Sequence, residues 1–521
     1  MMALARTLTA TVEGLRAHMV TVEANVGPGL PGMYMVGLGD AAVRESRDRI
    51  RTAIANSGLP WPRSKIMVSL SPAHLRKAGS HFDLPIALGV AASGEPELHP
   101  VLARTVFMGE LALDGTLRRV EGILPMLLHA QRSRAEGTGN DFDVVVVPRA
   151  NAREAALLKR KHVLVADNLT QVWRWLCAEE FLDTAIDAAD RAAASAPADP
   201  QTTHVPDFAD VAGQLLEREA MEIAAAGGHH ILMVGPPGSG KSMLAERLPS
   251  ILPPLSIDEQ IETTALHSAA GVSRGEIVGR RPFVAPHPSI SRFGLIGGGS
   301  GVPAPGAVSQ AHNGVLFLDE ASEISAHVLD SLRIPLEKRK VVHRRERRNV
   351  EYPADFQLIL AANPCPCGMD IQKCGCTPLQ RRNHLSNISG PLRDRLDIFL
   401  TTTAQSAVLS PEGAEPSSAI LARVMEARER AAHRWTKAGY QATTNAAMDA
   451  TAIRRHFPPD ESSAATIEHM LRNNELTQRG VDRVLKLAWT MADLEHEPRP
   501  HIDHIYRAVA LRKTHREEVA A

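Results

Sequence analysis

Gly235-Pro-Pro-Gly-Ser-Gly240-Lys241-Ser242 decides the fold. It follows a short buried-strand pattern, Ile231-Leu-Met-Val234, and runs into a helical pattern, MLAERLPSIL. Strand, glycine loop and helix in that order form a phosphate cradle. The glycines let backbone N–H groups turn inward, and the helix N-terminus adds its dipole. By residue type, Lys241 supplies charge to the β and γ phosphates of a nucleotide and Ser242 ligates Mg²⁺. Gly235, Pro236, Pro237, Gly238, Ser239 and Gly240 form the loop around them.

Working outward, Val315-Leu-Phe-Leu318 is a second buried strand, ending in Asp319-Glu320. An aspartate at the carboxyl end of such a strand can hold the Mg²⁺ shell, and the adjacent glutamate can polarise an attacking water. A third strand, Phe356-Gln-Leu-Ile-Leu-Ala-Ala-Asn363, ends in a polar amide. Strands and helices alternate across 207–402, which predicts a mostly parallel sheet with helices on both faces. Residues 410–521 carry almost no strand pattern. Ser417–Lys437, Ala464–Leu471, Arg479–Glu495 and Ile502–His515 have helical spacing, predicting a helical bundle.

The chain has 521 residues, room for two to four domains on a soft prior of roughly 150 residues each. A net charge of −1 gives no global pull toward nucleic acid, so any such binding rests on a local patch. The N-terminal stretch is interrupted by Arg6, Glu13, Arg16 and His18 and lacks the apolar core of a signal peptide. No apolar run approaches the ~20 residues of a membrane span. Four of the five cysteines fall within Cys365–Cys376, a clustering that argues for a reducing compartment. The expectation is a cytoplasmic protein with no membrane partner. Residues 1–184 read as mixed α/β, with strands at Lys65–Leu70 and Val144–Val147 and helices at Ala41–Ser57 and Leu84–Ala92. The Ala/Asp/Pro-rich stretch 185–206 reads as a linker, in part helical.

Ser389-Gly-Pro-Leu-Arg393-Asp-Arg395-Leu-Asp397, Ala311-His-Asn-Gly-Val-Leu-Phe-Leu-Asp-Glu320 and the glycine-rich Gly297–Gly306 together resemble the magnesium-chelatase-like branch of the AAA+ ATPases. Pro286-His-Pro-Ser289 and Asn363-Pro-Cys-Pro-Cys-Gly368 narrow the resemblance to its ComM (YifB) family, over nearly the whole chain. The fold class this implies is α/β: an AAA+ P-loop NTPase core at 207–402 (ChlI-like) with a C-terminal helical lid at 403–521. A Lon-protease-like (ribosomal S5 domain 2-like) α+β domain precedes it. The resemblance implies that Asn363 is a sensor of the γ-phosphate or water, and that Arg395 is an arginine finger reaching a neighbour's ATP. It also implies that Arg479, with Arg483 as a rival, is the lid's second sensor. A finger supplied in trans implies a homo-oligomeric ring, hexameric in this family.

In the first domain, Leu70–Gly79 and Gly109–Gly115 carry the likeness to Lon proteases, but His81 and Leu124 stand at the catalytic serine and lysine positions. Neither can form a Ser–Lys pair and Ser80 is one residue away, so the domain is expected to be non-proteolytic.

Cys365-Pro-Cys367 and Cys374-Gly-Cys376 place four thiols in twelve residues, enough for tetrahedral Zn²⁺, although CxC is tighter than the usual finger spacing. Free thiols on a loop are the plainer reading. Between the Asp-Glu strand and the Asn363 strand lies a basic run: Lys338, Arg339, Lys340, Arg344, Arg345, Arg347 and Arg348. In this branch that position is a pore hairpin, suited to tracking a DNA phosphate backbone; the plainer reading is a solvated charged face. The Gly/Pro-rich Arg280–Gly306 reads as a second mobile loop, with His287, Arg292 and Phe293 as candidate contacts. Three readings remain at this level. They are an ATP-driven motor on single-stranded or branched DNA in recombination or natural transformation, a chelatase-type motor remodelling a protein partner, and an ATP-dependent protease.

Overall fold

The structure, a computed structural model, describes residues 3–13, 15–37, 41–73, 75, 77, 79–136, 142–195, 206–272, 277–299, 303–345, 348–369, 374–403 and 415–520. Ala3–Glu13 (β1) and Arg16–Gly27 (β2) form a long antiparallel pair with Ala3 opposite Val26 and Glu13 opposite Arg16. Gly32–Val36 (β3), Lys65–Ser71 (β4), Thr105–Phe107 (β5), Val144–Pro148 (β6), Val163–Ala166 (β7) and Asp183–Thr184 (β8) extend it. The sheet has eight strands in the order β8-β7-β6-β5-β1-β2-β4-β3. Helix Asp83–Ala91 (α1) covers one face, over Val22, Ala24 and Val68, while Ile123–Glu136 (α2) covers the other, over Leu8 and Ala10. Alternation along each strand therefore feeds two cores.

The stretch read as a part-helical linker opens with a helix that packs on the first domain. Ala185–Ser195 (α3) is a helix whose Ala185 and Ala188 are buried with Val163 and Val165, so the first domain's packing runs past residue 184. Alanine has the highest helix propensity, and a helix of small residues packs closely on a sheet without large apolar side chains to announce it. Residues 196–205 of the linker lie outside the described set.

In the second module Ile231–Val234 (β9), Phe283–Val284 (β10), Val315–Leu318 (β11), Gln357–Ala362 (β14) and Ile398–Thr401 (β15) form a five-stranded parallel sheet. Its order is β10-β11-β14-β9-β15. Lys340–Arg345 (β12) and Arg348–Pro353 (β13) stand apart as an antiparallel hairpin. The connecting helices include Leu215–Gly227 (α4), Lys241–Arg247 (α5) and Ile257–Ala269 (α6). β9, β11 and β14 are buried along their whole length, as strands covered on both faces must be. The segment read as a mobile loop instead contains a helix at Arg292–Ile296 and a two-residue strand pair, Gly297–Gly298 with Ala304–Pro305.

The C-terminal part is helical: Ser417–Lys437 (α7), Ala450–His456 (α8), Glu461–Arg472 (α9), Gln478–Leu494 (α10) and Ile502–Ala520 (α11). It shares one apolar core with the sheet, in which Ile420, Val424, Trp435 and Leu487 join Ile231 and Met233. A buried ion pair ties the two parts together: Arg483 donates to Asp397 at 2.8 Å, and Asp397 also meets His229 at 3.2 Å. Burial alone would push the Asp397 carboxyl up, but Arg483 and His229 outweigh it and hold it well below its ordinary value. Its stabilisation is therefore complete at neutral pH and is lost only as pH falls below the usual carboxylate range. Asp397→Ala strands the arginine and is expected to cost about 3–5 kcal/mol, read as a loss of stability in urea unfolding at pH 7.

Candidate functional site: a nucleotide-phosphate cradle

The cradle sits at the carboxyl ends of β9, β11 and β14. Gly238 and Gly240 have φ of 77° and 84°, the left-handed region that suits glycine. At Gly235 a Cβ would lie 2.1 Å from Thr402 Oγ1, so only glycine lets β9 turn here. Lys241 is buried and donates to the carbonyls of Gly235 at 2.7 Å and Pro236 at 2.9 Å. It also reaches Asn363 Oδ1 at 3.4 Å. Burial lowers its pKa, which nearby Asp319 partly offsets. Ser242 Oγ donates to Asp319 Oδ2 at 2.9 Å, which brings together a hydroxyl and a carboxylate suited to Mg²⁺. Glu320 is exposed, holds φ at 47°, and its N–H donates to Asp319 Oδ1 at 2.8 Å. That left-handed turn sends the chain sharply off the end of β11.

Sequence reasoning missed two residues. Gln214, with φ at 49°, starts α4 and donates to the Ser239 carbonyl at 2.8 Å. Its Oε1 is buried without a protein partner among the described residues, an acceptor left open beside the loop. Thr402 shares a 2.6 Å hydrogen bond with Ser239. The Gly213-Gln214 pair just before a helix was the available signal for the first. Thr402 gave none, because its contact spans 163 residues.

The two arginines lie elsewhere. Arg395 pairs with Glu337 and donates to the Pro391 carbonyl. Arg479 is exposed and pairs with Asp394, the residue before Arg395, at 3.3 Å. Its rival Arg483 is committed to Asp397. No hydrogen bond or ion pair among the described residues joins any of the three to the phosphate loop.

The four thiols converge. Cys365 Sγ lies 3.1 Å from Cys367 Sγ and 3.3 Å from Cys374 Sγ, and the Cys367–Cys374 separation is 3.6 Å. All four sulfurs, Cys376 included, fall within 4.8 Å of one another. Burial pushes the Cys365 thiol up to about 12, while a hydrogen bond from Cys365 pulls Cys367 down to about 6. The loop touches the cradle, since a Cβ on Gly368 would meet the Pro237 ring at 3.1 Å.

The basic run divides. Lys338 is exposed at the end of a short helix. Arg339 turns back from the hairpin to pair with Asp355 at 3.2 Å, and Lys340 pairs across it with Glu351 at 3.2 Å. Arg344 is exposed opposite Asn349, and Arg345 is opposite Arg348 in the backbone register. Arg347 lies outside the described residues. The hairpin root is fixed by buried Val350 and Tyr352 against Leu266.

In the first domain His81 is buried with Nε2 2.8 Å from the Ala10 carbonyl, and Leu124 is fully buried. Ser80 donates to Glu110. No described residue pairs a lysine with that serine.

Family models agree with this architecture. "Magnesium chelatase, subunit ChlI" matches residues 207–408, "Subunit ChlI of Mg-chelatase" matches 22–151, and "Magnesium chelatase, subunit ChlI C-terminal" matches 414–512. An uncharacterized protein of Mycobacterium tuberculosis is 43% identical over 517 residues, 98% of this chain and 99% of its own length. The uncharacterized protein YifB of Escherichia coli is 38% identical over 511 residues, 96% of this chain and 95% of its own. Competence protein ComM of Haemophilus influenzae is 35% identical over 512 residues, with the same coverage of 96% and 95%. The chain belongs to the ComM (YifB) family of magnesium-chelatase-like AAA+ ATPases. Membership in this ATPase family accounts for the cradle. The buried lysine, the Ser242–Asp319 pair and the open Gln214 acceptor fit ATP with Mg²⁺. Among the described residues, no helix is long and apolar enough to cross a membrane.

Proposed function

We propose that the protein is a subunit of a cytoplasmic hexameric ring motor that spends ATP on single-stranded or branched DNA, as a helicase or branch-migration factor in recombination or natural transformation. The observation that carries this reading is the hairpin β12–β13, anchored at its root by Tyr352 and presenting exposed Arg344 and partly exposed Lys340. Lys338, Arg345, Arg347 and Arg348 belong to the same basic run in the sequence. Aromatic residues are scarce along it, so it suits backbone tracking better than base reading. The name of the Haemophilus relative points the same way.

In this reading the cradle binds the triphosphate through Lys241 and the loop amides. Ser242 and Asp319 would hold Mg²⁺, which would neutralise phosphate charge. Glu320 accepts the proton of the attacking water, Asn363 orients that water, and Arg395 with Arg479 serves the neighbouring subunit's nucleotide. The adjacency of Arg479 to Asp394 supports a shared face for the two arginines.

Lys340→Ala combined with Arg344→Ala is expected to leave DNA-free ATPase intact while weakening DNA stimulation. The slope of log affinity against log salt should fall by about 0.7 per lost contact on single strands. ATPase indifferent to DNA would instead favour a chelatase-type motor that remodels a protein partner, the reading favoured by the family-model descriptions.

The first domain we read as a Lon-protease-like fold without protease activity, since Ser80 is engaged by Glu110 and Leu124 offers no amine. Cys365, Cys367, Cys374 and Cys376 we read as a structural Zn²⁺ site. Their separations approach the ~3.8 Å sulfur edge of a tetrahedral site with ~2.3 Å bonds. Metal analysis of the purified protein is expected to give about one zinc per chain, reduced in Cys374→Ser.

A further inference from the structure

A second cleft, of about 380 Å³, opens at the opposite end of the parallel sheet from the phosphate loop. Its floor is built at the amino ends of the strands: His230 precedes β9, Gly314 precedes β11, Gln357 starts β14 and Asp397 precedes β15. One wall is core and the other is lid, where α7 contributes Arg428 and α10 contributes Lys486. This volume lies in the range of small-molecule sites.

The charges do not balance. Four carboxylates line the cleft and each meets an arginine: Glu259 with Arg281 at 3.4 Å, Asp355 with Arg339 at 3.2 Å, Asp397 with Arg483 at 2.8 Å, and Glu337 with Arg395. Arg428 and Lys486 make no ion pair among the described residues, although Glu259 and Asp355 act on Arg428, and Asp397, Asp482 and Asp449 on Lys486, from beyond contact distance. Among the described residues Arg428 donates only to the Ala225 carbonyl, at 2.6 and 2.9 Å, and Lys486 only to the Ala446 carbonyl, at 2.9 Å. Lys486 is 9% exposed, so water offers its remaining protons little compensation. Burial pushes Lys486 down to about 8 and Arg428 down to about 9, so both cations are held at a cost. His230 adds no positive charge at neutral pH, as burial lowers it to about 4. Buried charges are ordinarily matched, and two cations without an ion pair on the wall of a polar cleft suit an anion.

We propose that this cleft binds a small diphosphate-class oxyanion on its lid wall, through Arg428 and Lys486, as a site separate from the chain's own ATP cradle. The hydroxyls of Thr443 and Thr444 line the same cleft and can donate to the anion's remaining oxygens. Such an anion would offset the charge that Arg428 and Lys486 bring to the cleft.

The test uses full-length Lys241→Ala protein, in which the ATP cradle is disabled in every subunit of any assembly. Pyrophosphate is titrated by calorimetry, with inorganic phosphate and ADP in separate arms. One saturable pyrophosphate site per chain is expected, weakened about tenfold to a hundredfold by adding Lys486→Met or Arg428→Gln. The two substitutions stand in for each other should one disturb folding, which thermal unfolding without ligand reports. ADP competing for the site would identify a nucleotide as its source, whereas competition by inorganic phosphate alone would identify free phosphate; either supports the site. Absence of saturable binding in Lys241→Ala, or binding that both second substitutions leave unchanged, overturns the proposal.

Discussion

Glu320→Gln is expected to bind ATP and fail to split it. The residue sits one position past the aspartate that pairs with Ser242, exposed, on a turn at φ 47° that sends the chain away from the strand axis. A glutamine keeps the size and the turn but cannot take a proton from water. Removing a positioned base lowers a rate by about 10²–10⁴-fold. Steady-state phosphate release should fall by that factor, while affinity for ATP, measured with a fluorescent analogue, stays near the wild-type value. A variant that still turns over at the wild-type rate would remove Glu320 from the chemistry. Loss of binding and turnover together would point to a collapsed cradle.

Arg395→Ala is expected to have an effect as large by a different route. Its guanidinium pairs with Glu337 and makes no hydrogen bond or ion pair with its own phosphate loop among the described residues. An arginine supplied across an interface contributes about 10³–10⁵-fold to phosphoryl-transfer rates. The diagnostic experiment mixes two inactive proteins, Arg395→Ala and Lys241→Ala. In a ring, some interfaces then join an intact cradle to an intact arginine, so partial activity should return. No recovery, with both variants confirmed to co-assemble, would assign Arg395 to its own subunit. Direct repair of charge offers a second check: Arg395→Lys restores the charge without the planar fork and should recover only part of the rate.

Much of the site was legible because its chemistry is local in sequence. The glycine loop, Lys241 and Ser242 are contiguous, and Asp319-Glu320 and Asn363 each end an apolar strand that period and length reveal. The C-terminal helices were legible for a similar reason: Ser417–Lys437 carries an unbroken helical stripe ending in Trp435, and the structure forms that helix with the same bounds. The first two strands were not, because Thr7, Thr9 and Thr11 are buried on a sheet covered on both faces, so polarity there does not report exposure. That the helix Ala185–Ser195 packs on the first domain was hidden by its small residues, which resemble a linker in composition while packing closely in space. Arg339 shows the limit of reading charge by run. Sequence places it with the hairpin cations, yet its left-handed backbone, φ 51°, turns it to Asp355 in the cleft below the sheet. That cleft was invisible to the sequence, since its floor and walls come from segments more than two hundred residues apart.

The most direct measurement is steady-state ATPase of the full-length protein with and without forked and single-stranded DNA, with Glu320→Gln run in parallel. The account predicts Mg²⁺-dependent hydrolysis that DNA stimulates, that salt weakens, and that vanishes in the variant. Hydrolysis unaffected by either DNA would contradict the DNA motor, and hydrolysis that persists in Glu320→Gln would contradict the catalytic site itself.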